Sequence, residues 1–162
     1  MGKNVYRSVK AIDGVLSKKE FTDYQVIITG NCPVPIRKLI KRRERYQYLD
    51  CVSSNELEGL YRNCDIFVFL SLNEGFGYPP LEAMKYGKTC VISPICSLPE
   101  ICSDAVYYAN PYDIAEIQNR LMMAATTKIE CIKIINRAQE IALQQDKHLE
   151  QLCNVIVERT QL

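Results

Sequence analysis

Residues 64–71, CDIFVFLS, run without a break into residues 72–87, LNEGFGYPPLEAMKYG. The first stretch is apolar on both faces, as a strand inside a parallel sheet is. The second carries two glycines and a proline pair and then takes up helical spacing, so the chain turns at the carboxyl end of the strand and enters a helix. In open parallel sheets, ligands bind at such a junction.

Similar apolar runs recur on either side. YQVIITG (24–30), RYQYLD (45–50), KTCVISP (88–94) and AVYYAN (105–110) read as further strands. Between them the spacing is helical. Val5, Val9, Ile12 and Leu16 share one face of an opening helix, and Leu57, Leu60 and Tyr61 share a face of another. SSNE at 53–56 opens that second helix as a capping box, with Ser53 as cap and Glu56 three residues on. Helices are also expected over 35–43, 80–86, 97–102 and 112–125.

From about residue 128 the pattern is wholly helical, first through Ile129, Ile132, Ile135, Ala138 and Ala142, then in a last helix carrying Leu149, Leu152 and Ile156. The fold class is therefore α/β: a Rossmann-like parallel sheet with helices on both faces, ending in C-terminal helices. Residues 1–125 form the Rossmann-like domain and 126–162 the helices that pack on it. Such a sheet normally opens with a strand, whereas this chain opens at a helix. Its first strand is expected to be missing or supplied by something else.

At 162 residues and 48% hydrophobic composition, the chain can bury a core without disulfide or metal staples. A formal net charge of +1 gives no global attraction to nucleic acid. No apolar run approaches the about 18 residues a bilayer span requires, and MGKNVYRSVK lacks the apolar core of a signal peptide. The chain reads as cytoplasmic. None of its eight cysteines forms a C-x-x-C pair, and several sit in apolar runs as small hydrophobes. The single histidine, His148, lies on a polar stretch and reads as solvated.

The quoted junction raises the functional question. Gly75 and Gly77 let backbone approach a ligand, Pro79 and Pro80 fit the turn and first helical positions, and the amides around 76–82 with the helix dipole suit a phosphate. Glu74 and Glu82 would repel that phosphate, so they more naturally accept hydrogen bonds from sugar hydroxyls. A nucleotide sugar, with a diphosphate between two sugars, satisfies all these groups. The plainer account makes Glu82 a first-turn acid favoured by the dipole and Glu74 a solvated loop residue.

The pattern E-G-F-G-x-P-x-L-E-A-M-x-x-G resembles the E-x7-E signature of retaining GT-B glycosyltransferases of family 4, in their C-terminal, donor-binding domain. The resemblance runs over roughly residues 3–125 and includes LYRNCDIFVFLSLNEGFGYPPLEAMKYGKTCVISPICSLPEICSDAVYYANPYDIAEIQNRL. It implies that Glu82 holds the ribose hydroxyls and that Glu74 lies against the transferred sugar as the catalytic glutamate. Gly75, Phe76, Gly77 and Tyr78 would face sugar and phosphates, and Lys3 would neutralise the diphosphate leaving group. The alternative for Lys3 is an exposed terminal lysine. Cys51 and Val52 follow a strand where the family places the nucleobase, through backbone contacts. The family's arginine, several residues before that lysine, has no counterpart here, and the N-terminal acceptor-binding domain lies outside these residues. Cys96 stands where many relatives have glycine.

The resemblance implies a glycosyltransferase donor domain, inactive alone, serving polysaccharide, lipopolysaccharide or glycolipid assembly. It would move a sugar to a saccharide or lipid-linked acceptor and use no metal or other cofactor, since no D-x-D pair lies near the site. The alternatives are a non-catalytic nucleotide-sugar-binding subunit paired with a separate acceptor-binding protein, and a bare fold in which the glutamates serve structure. RKLIKRRER at 37–45, six basic residues in nine, is either a solvated helix face or a patch for the anionic inner face of a membrane. It lacks the aromatic platform of a nucleic-acid binder.

Overall fold

A computed structural model describes the backbone of residues 3–160 and side chains through Cys153; the expected apolar position Ile156 lies outside the described side chains. Five short strands, β1 (Val26–Thr29), β2 (Tyr46–Leu49), β3 (Ile66–Phe69), β4 (Thr89–Ile92) and β5 (Tyr107–Tyr108), alternate with helices. The helices are α1 (Val5–Val15), α2 (Val34–Arg37), α3 (Ser54–Asn63), α4 (Tyr78–Lys85), α5 (Leu98–Cys102), α6 (Ile114–Thr126) and α7 (Cys131–Thr160). Every strand pairing is parallel, as expected of βαβ units.

β4 shows how the core is layered. All four of its residues, TCVI, are buried. Cys90 and Ile92 belong to a cluster with Met84, Leu98 and Ile134, while Val91 points into a second cluster with Val9, Ile117 and Leu121. The period of two thus divides one strand between two faces. Helices α4, α5 and α7 cover the first face and α1 and α6 the second. Full burial of Met84, Ile92, Leu98, Ile117 and Ile134 stabilises the fold by about 1.5–3 kcal/mol each.

Three expectations are corrected. The strands form two sheets, β1-β2 and β3-β4-β5, rather than one. The helix expected over 35–43 shrinks to α2 and a 3-10 turn at Arg43–Arg45, because Asp13 accepts the backbone N–H groups of Lys41 and Arg42 and holds the segment between them open. The two C-terminal helices are one, α7, since no glycine or proline interrupts residues 131–160. Among the strand aromatics Tyr46 is buried, and Tyr48, Phe67, Phe69, Tyr107 and Tyr108 pack, partly buried, against the two core clusters.

The cysteines occupy three environments. Cys32, Cys90 and Cys102 are buried, Cys64 is intermediate, and Cys51, Cys96, Cys131 and Cys153 are exposed; all are free. Burial pushes the Cys102 thiol up to about 12 and the Cys90 thiol well above its ordinary range, so these two act as small hydrophobes. His148 is exposed. No helix among the described residues is long and apolar enough to cross a membrane.

Candidate functional site

The loop after β3 is built by three serines and one glycine. Ser93 donates its hydroxyl to the carbonyl of Ser71 at 2.6 Å, tying the end of β3 to the end of β4. Ser71 donates to the carbonyl of Asn73 at 2.8 Å. The Ser97 hydroxyl is shared between the carbonyls of Gly75 (2.9 Å) and Phe76 (2.8 Å). Those carbonyls are thereby turned toward α5. Gly77 caps α4 at φ 105°, a left-handed conformation that L residues resist, and a Cβ there would sit 2.5 Å from the Leu98 Cδ2 atom. Only glycine fits.

Gly75 is different. Its φ is ordinary and a Cβ there would meet nothing within 4 Å. The fold does not require this glycine, so its open backbone is the feature a ligand would use.

The helix begins earlier than expected, at Tyr78 rather than residue 80, which changes two readings. Pro79 and Pro80 both fall in the first turn and bring no N–H, and the Leu81 amide bonds Gly77 at 3.4 Å. The donors at the helix head are therefore the amides of Gly75, Phe76, Gly77 and Tyr78, which meet no acceptor among the described residues. Glu82 lies in the second turn, so the helix dipole does not by itself explain an acid there.

Glu82 is partly buried and lies against the Tyr61 phenol of α3. Burial, then the neighbouring Glu82 carboxylate, push that phenol well up from its usual range, so Tyr61 keeps its proton beside Glu82. Sequence reasoning had Tyr61 only as a core residue, which it also is, at 7% exposure. Glu74 is partly buried, and its carboxylate has no hydrogen-bond or ionic partner among the described residues. Phe76 packs against the core while Tyr78 stays exposed, the two rings 4.8 Å apart.

Lys3 comes to the same end of the molecule. Its backbone bridges Ser71 at the end of β3, and its side chain is exposed. Asn4, which sequence reasoning missed, holds this start in place by donating to the Pro111 carbonyl at 2.5 Å. From there α1, 11 residues and about 16 Å long, carries the chain back toward the start of β1, so β1 and β2 run the same way as β3. Val52, partly buried, and Cys51, exposed, follow β2 and thus lie on the carboxyl edge that also bears residues 74–78. Lys3 and residues 74–78 thus meet at the carboxyl end of β3, Glu82 lies in the second turn of α4, and Val52 follows β2 in the other sheet.

The basic run is mostly structural. Arg37 pairs with Asp50 at 3.1 Å and stacks on the Tyr48 ring, Arg42 pairs with Asp13, and buried Arg45 donates to the carbonyls of Phe21 and Tyr24. Lys38, Lys41 and Arg43 remain exposed, beside exposed Val34 and Leu39.

The family model described as "Glycosyl transferases group 1" matches residues 2–141. A "Serotype-specific mannosyltransferase WbdA" from Escherichia coli is 38% identical over 104 residues, 59% of this chain and 12% of that protein. The "O-antigen chain mannosyltransferase RfbU" from Salmonella typhimurium is 30% identical over 118 residues, 68% of this chain and 32% of its own length. Among solved structures, an alpha,alpha-trehalose 6-phosphate synthase from Burkholderia multivorans superposes with a TM-score of 0.72 at 13% identity, over 98% of this chain and 41% of that one. The chain thus spans well under half the length of these relatives.

Proposed function

This chain belongs to the group 1 glycosyltransferases, and from that premise we propose that it is the C-terminal, donor-binding domain of a retaining GT-B enzyme of family 4. The observation that carries the reading is the turn at Gly75–Tyr78: four amides without an acceptor among the described residues, at the head of α4 and flanked by Glu74 and Glu82.

The amides and the helix dipole receive the diphosphate, with Lys3 on the same edge as a mobile countercharge. Glu82, oriented by Tyr61, accepts from the ribose hydroxyls. Glu74, without a partner among the described residues, accepts from the transferred sugar and steadies positive charge as its anomeric carbon loosens. The bond from that carbon to the diphosphate oxygen breaks, and the acceptor hydroxyl bonds to the carbon from the same face. Its proton passes to the departing phosphate oxygen. Countercharge comes from amides and lysine, so no metal is assigned a role. The named relatives are mannosyltransferases, which makes a mannosyl nucleotide the first donor to test and a saccharide or lipid-linked chain the acceptor class. The acceptor groove and the completed cleft belong to an N-terminal domain. Lys38, Lys41 and Arg43 would add about 3 kcal/mol of attraction to an anionic membrane surface, a secondary contact at most.

Calorimetric titration with GDP, UDP and ADP, each with and without its sugar, tests this reading. One nucleotide is expected to bind selectively, with loss of about tenfold or more in Glu82→Ala. Gly75→Ala is expected to weaken binding while leaving stability within about 0.5 kcal/mol, because its Cβ meets no protein atom. Failure of all three nucleotides to bind at millimolar concentration would overturn it.

A further inference from the structure

A depression of about 150 Å³ lies where α2 (Val34–Arg37), the 3-10 turn at Arg43–Arg45 and β2 (Tyr46–Leu49) meet. Val34, Arg37, Lys38, Arg43 and Tyr48 line it, three cations and no acid. Buried and bonded neighbours hold these cations in place. Arg37 donates from Nε to the Cys32 carbonyl at 2.7 Å and from Nη2 to Asp50 at 3.1 Å, and its guanidinium lies 4.3 Å over the Tyr48 ring. Those contacts fix the plane of the guanidinium and leave further N–H groups for a ligand. Buried Ile40 and Arg45, with the Asp13 carboxylate that takes the amides of Lys41 and Arg42, set the path from Lys38 to Arg43. Arg43 in turn reaches the Lys38 carbonyl with Nη2 at 3.4 Å. Neither Lys38 nor Arg43 has an acidic partner among the described residues. With Asp50 offsetting Arg37, two positive charges stay uncompensated around one small pocket. Like charges gathered in this way repel, a cost that a bound anion removes.

We propose that this pocket is a seat for the phosphate of a phosphate monoester, separate from the Gly75–Tyr78 turn. Such a group carries about −1.5 to −2 charge near neutral pH, which matches the two uncompensated cations; a diester or a carboxylate carries about half as much. Arg37, held flat on Tyr48, presents the planar fork that suits phosphate oxygens, and Lys38 and Arg43 supply the remaining charge. The volume suits one small anion: it holds about five waters at ~30 Å³ each, and it is about half the ~300 Å³ at which pockets for drug-sized ligands begin. Lys41 belongs to the same basic run but does not line the pocket. A defined seat therefore differs from a diffuse basic face, to which Lys41 would contribute equally. The monoester is presented either by a soluble sugar phosphate or by a lipid of the phosphatidic acid kind, whose headgroup is a monoester. The inference does not depend on what binds at the Gly75–Tyr78 turn.

The test is a titration followed by amide chemical shifts, with glycerol phosphate as a monoester and dimethyl phosphate as a diester, at an ionic strength held with chloride near ~0.15 M. Glycerol phosphate is expected to move the amides of Lys38, Arg43 and Tyr48 together and saturably, and to bind at least about fivefold more tightly than dimethyl phosphate. Lys38→Gln and Arg43→Gln are each expected to weaken it about fivefold or more, and Lys41→Gln less than about twofold. All three side chains are exposed, and circular dichroism checks that the variants stay folded. If one misfolds, the preference of the unaltered chain for monoester over diester at those three amides decides alone. Vesicles of phosphatidylcholine carrying phosphatidic acid or, at equal surface charge, phosphatidylglycerol then separate the sources. Preferential retention on phosphatidic acid, lost in Arg43→Gln, assigns the seat to a lipid headgroup, and equal retention on both assigns it to a soluble monoester. The proposal is overturned if the shifts follow chloride alone, if dimethyl phosphate binds equally, or if Lys41→Gln weakens binding as much as Arg43→Gln. It is equally overturned if glycerol phosphate moves only the amides of the Gly75–Tyr78 turn.

Discussion

Gly77→Ala tests the geometry at the head of α4. At φ 105° an L residue incurs the left-handed penalty of about 1–2 kcal/mol. The new Cβ would lie 2.5 Å from the Leu98 Cδ2 atom, more than 1 Å inside the about 3.5–4.0 Å of ordinary carbon contact. Leu98 is fully buried among Met84, Ile92 and Ile101, so relief requires core repacking of about 1–3 kcal/mol. The reduced freedom of the unfolded alanine chain offsets about 0.4–1 kcal/mol. The expected net loss is roughly 2–4 kcal/mol, or a Tm lower by about 5–15 °C for a chain of this size. Urea unfolding followed by circular dichroism measures it. Leu98→Val removes both Cδ atoms, so in that background Gly77→Ala should cost only its backbone part, with a coupling of about 1–3 kcal/mol. A loss below about 0.5 kcal/mol for Gly77→Ala, or additivity in the double-mutant cycle, would refute the reasoning.

Three further outcomes are expected. Cys96 sits at φ 49°, so Cys96→Gly should relieve about 1–2 kcal/mol of backbone strain and lose about 0.5–1 to chain entropy, a net gain visible in a thermal melt; a fall in Tm would contradict the strain. The Tyr46 hydroxyl is buried without a partner among the described residues, so Tyr46→Phe should be neutral or stabilise by about 1 kcal/mol, whereas a loss of that size would show that the hydroxyl is used. Glu56 accepts the Ser53 amide and hydroxyl at 2.7 Å, which holds its carboxyl below the ordinary 4.5. Its contribution is therefore complete above about pH 4.5 and lost as pH falls through the lowered folded value, and the stability gap between wild type and Glu56→Gln should close on acidification toward pH 3; a gap independent of pH would sink this assignment.

The sequence was most legible where a local rule decides the outcome. The Ser53–Glu56 box forms as its spacing predicts, and KTCVISP is buried on both faces as an all-apolar strand should be. The glycine position occupied by Cys96 shows in its positive φ. Legibility failed where distant groups intervene. Nothing local to residues 35–43 announces that Asp13 will take the amides of Lys41 and Arg42, or that buried Arg45 will bond carbonyls some 20 residues earlier in the chain. Periodicity marked Tyr61 as core but could not show that its phenol reaches Glu82 on a neighbouring helix. Ser97 is expected only as the start of a helix over 97–102, and nothing local announces that its hydroxyl holds the carbonyls of Gly75 and Phe76. The two glycines of the motif look equivalent in sequence; only their surroundings separate Gly77, which the fold requires, from Gly75, which it does not.

The central claim is that the turn at Gly75–Tyr78 receives a nucleotide sugar between Glu74 and Glu82. Amide chemical shifts followed during titration with GDP-mannose, UDP-glucose and ADP-glucose test it most directly. The account predicts that one donor moves the amides of Gly75, Phe76, Gly77 and Tyr78 together in a saturable way, and that Glu82→Ala weakens that response. Shifts confined to other regions, or a response unchanged by Glu82→Ala, would contradict it.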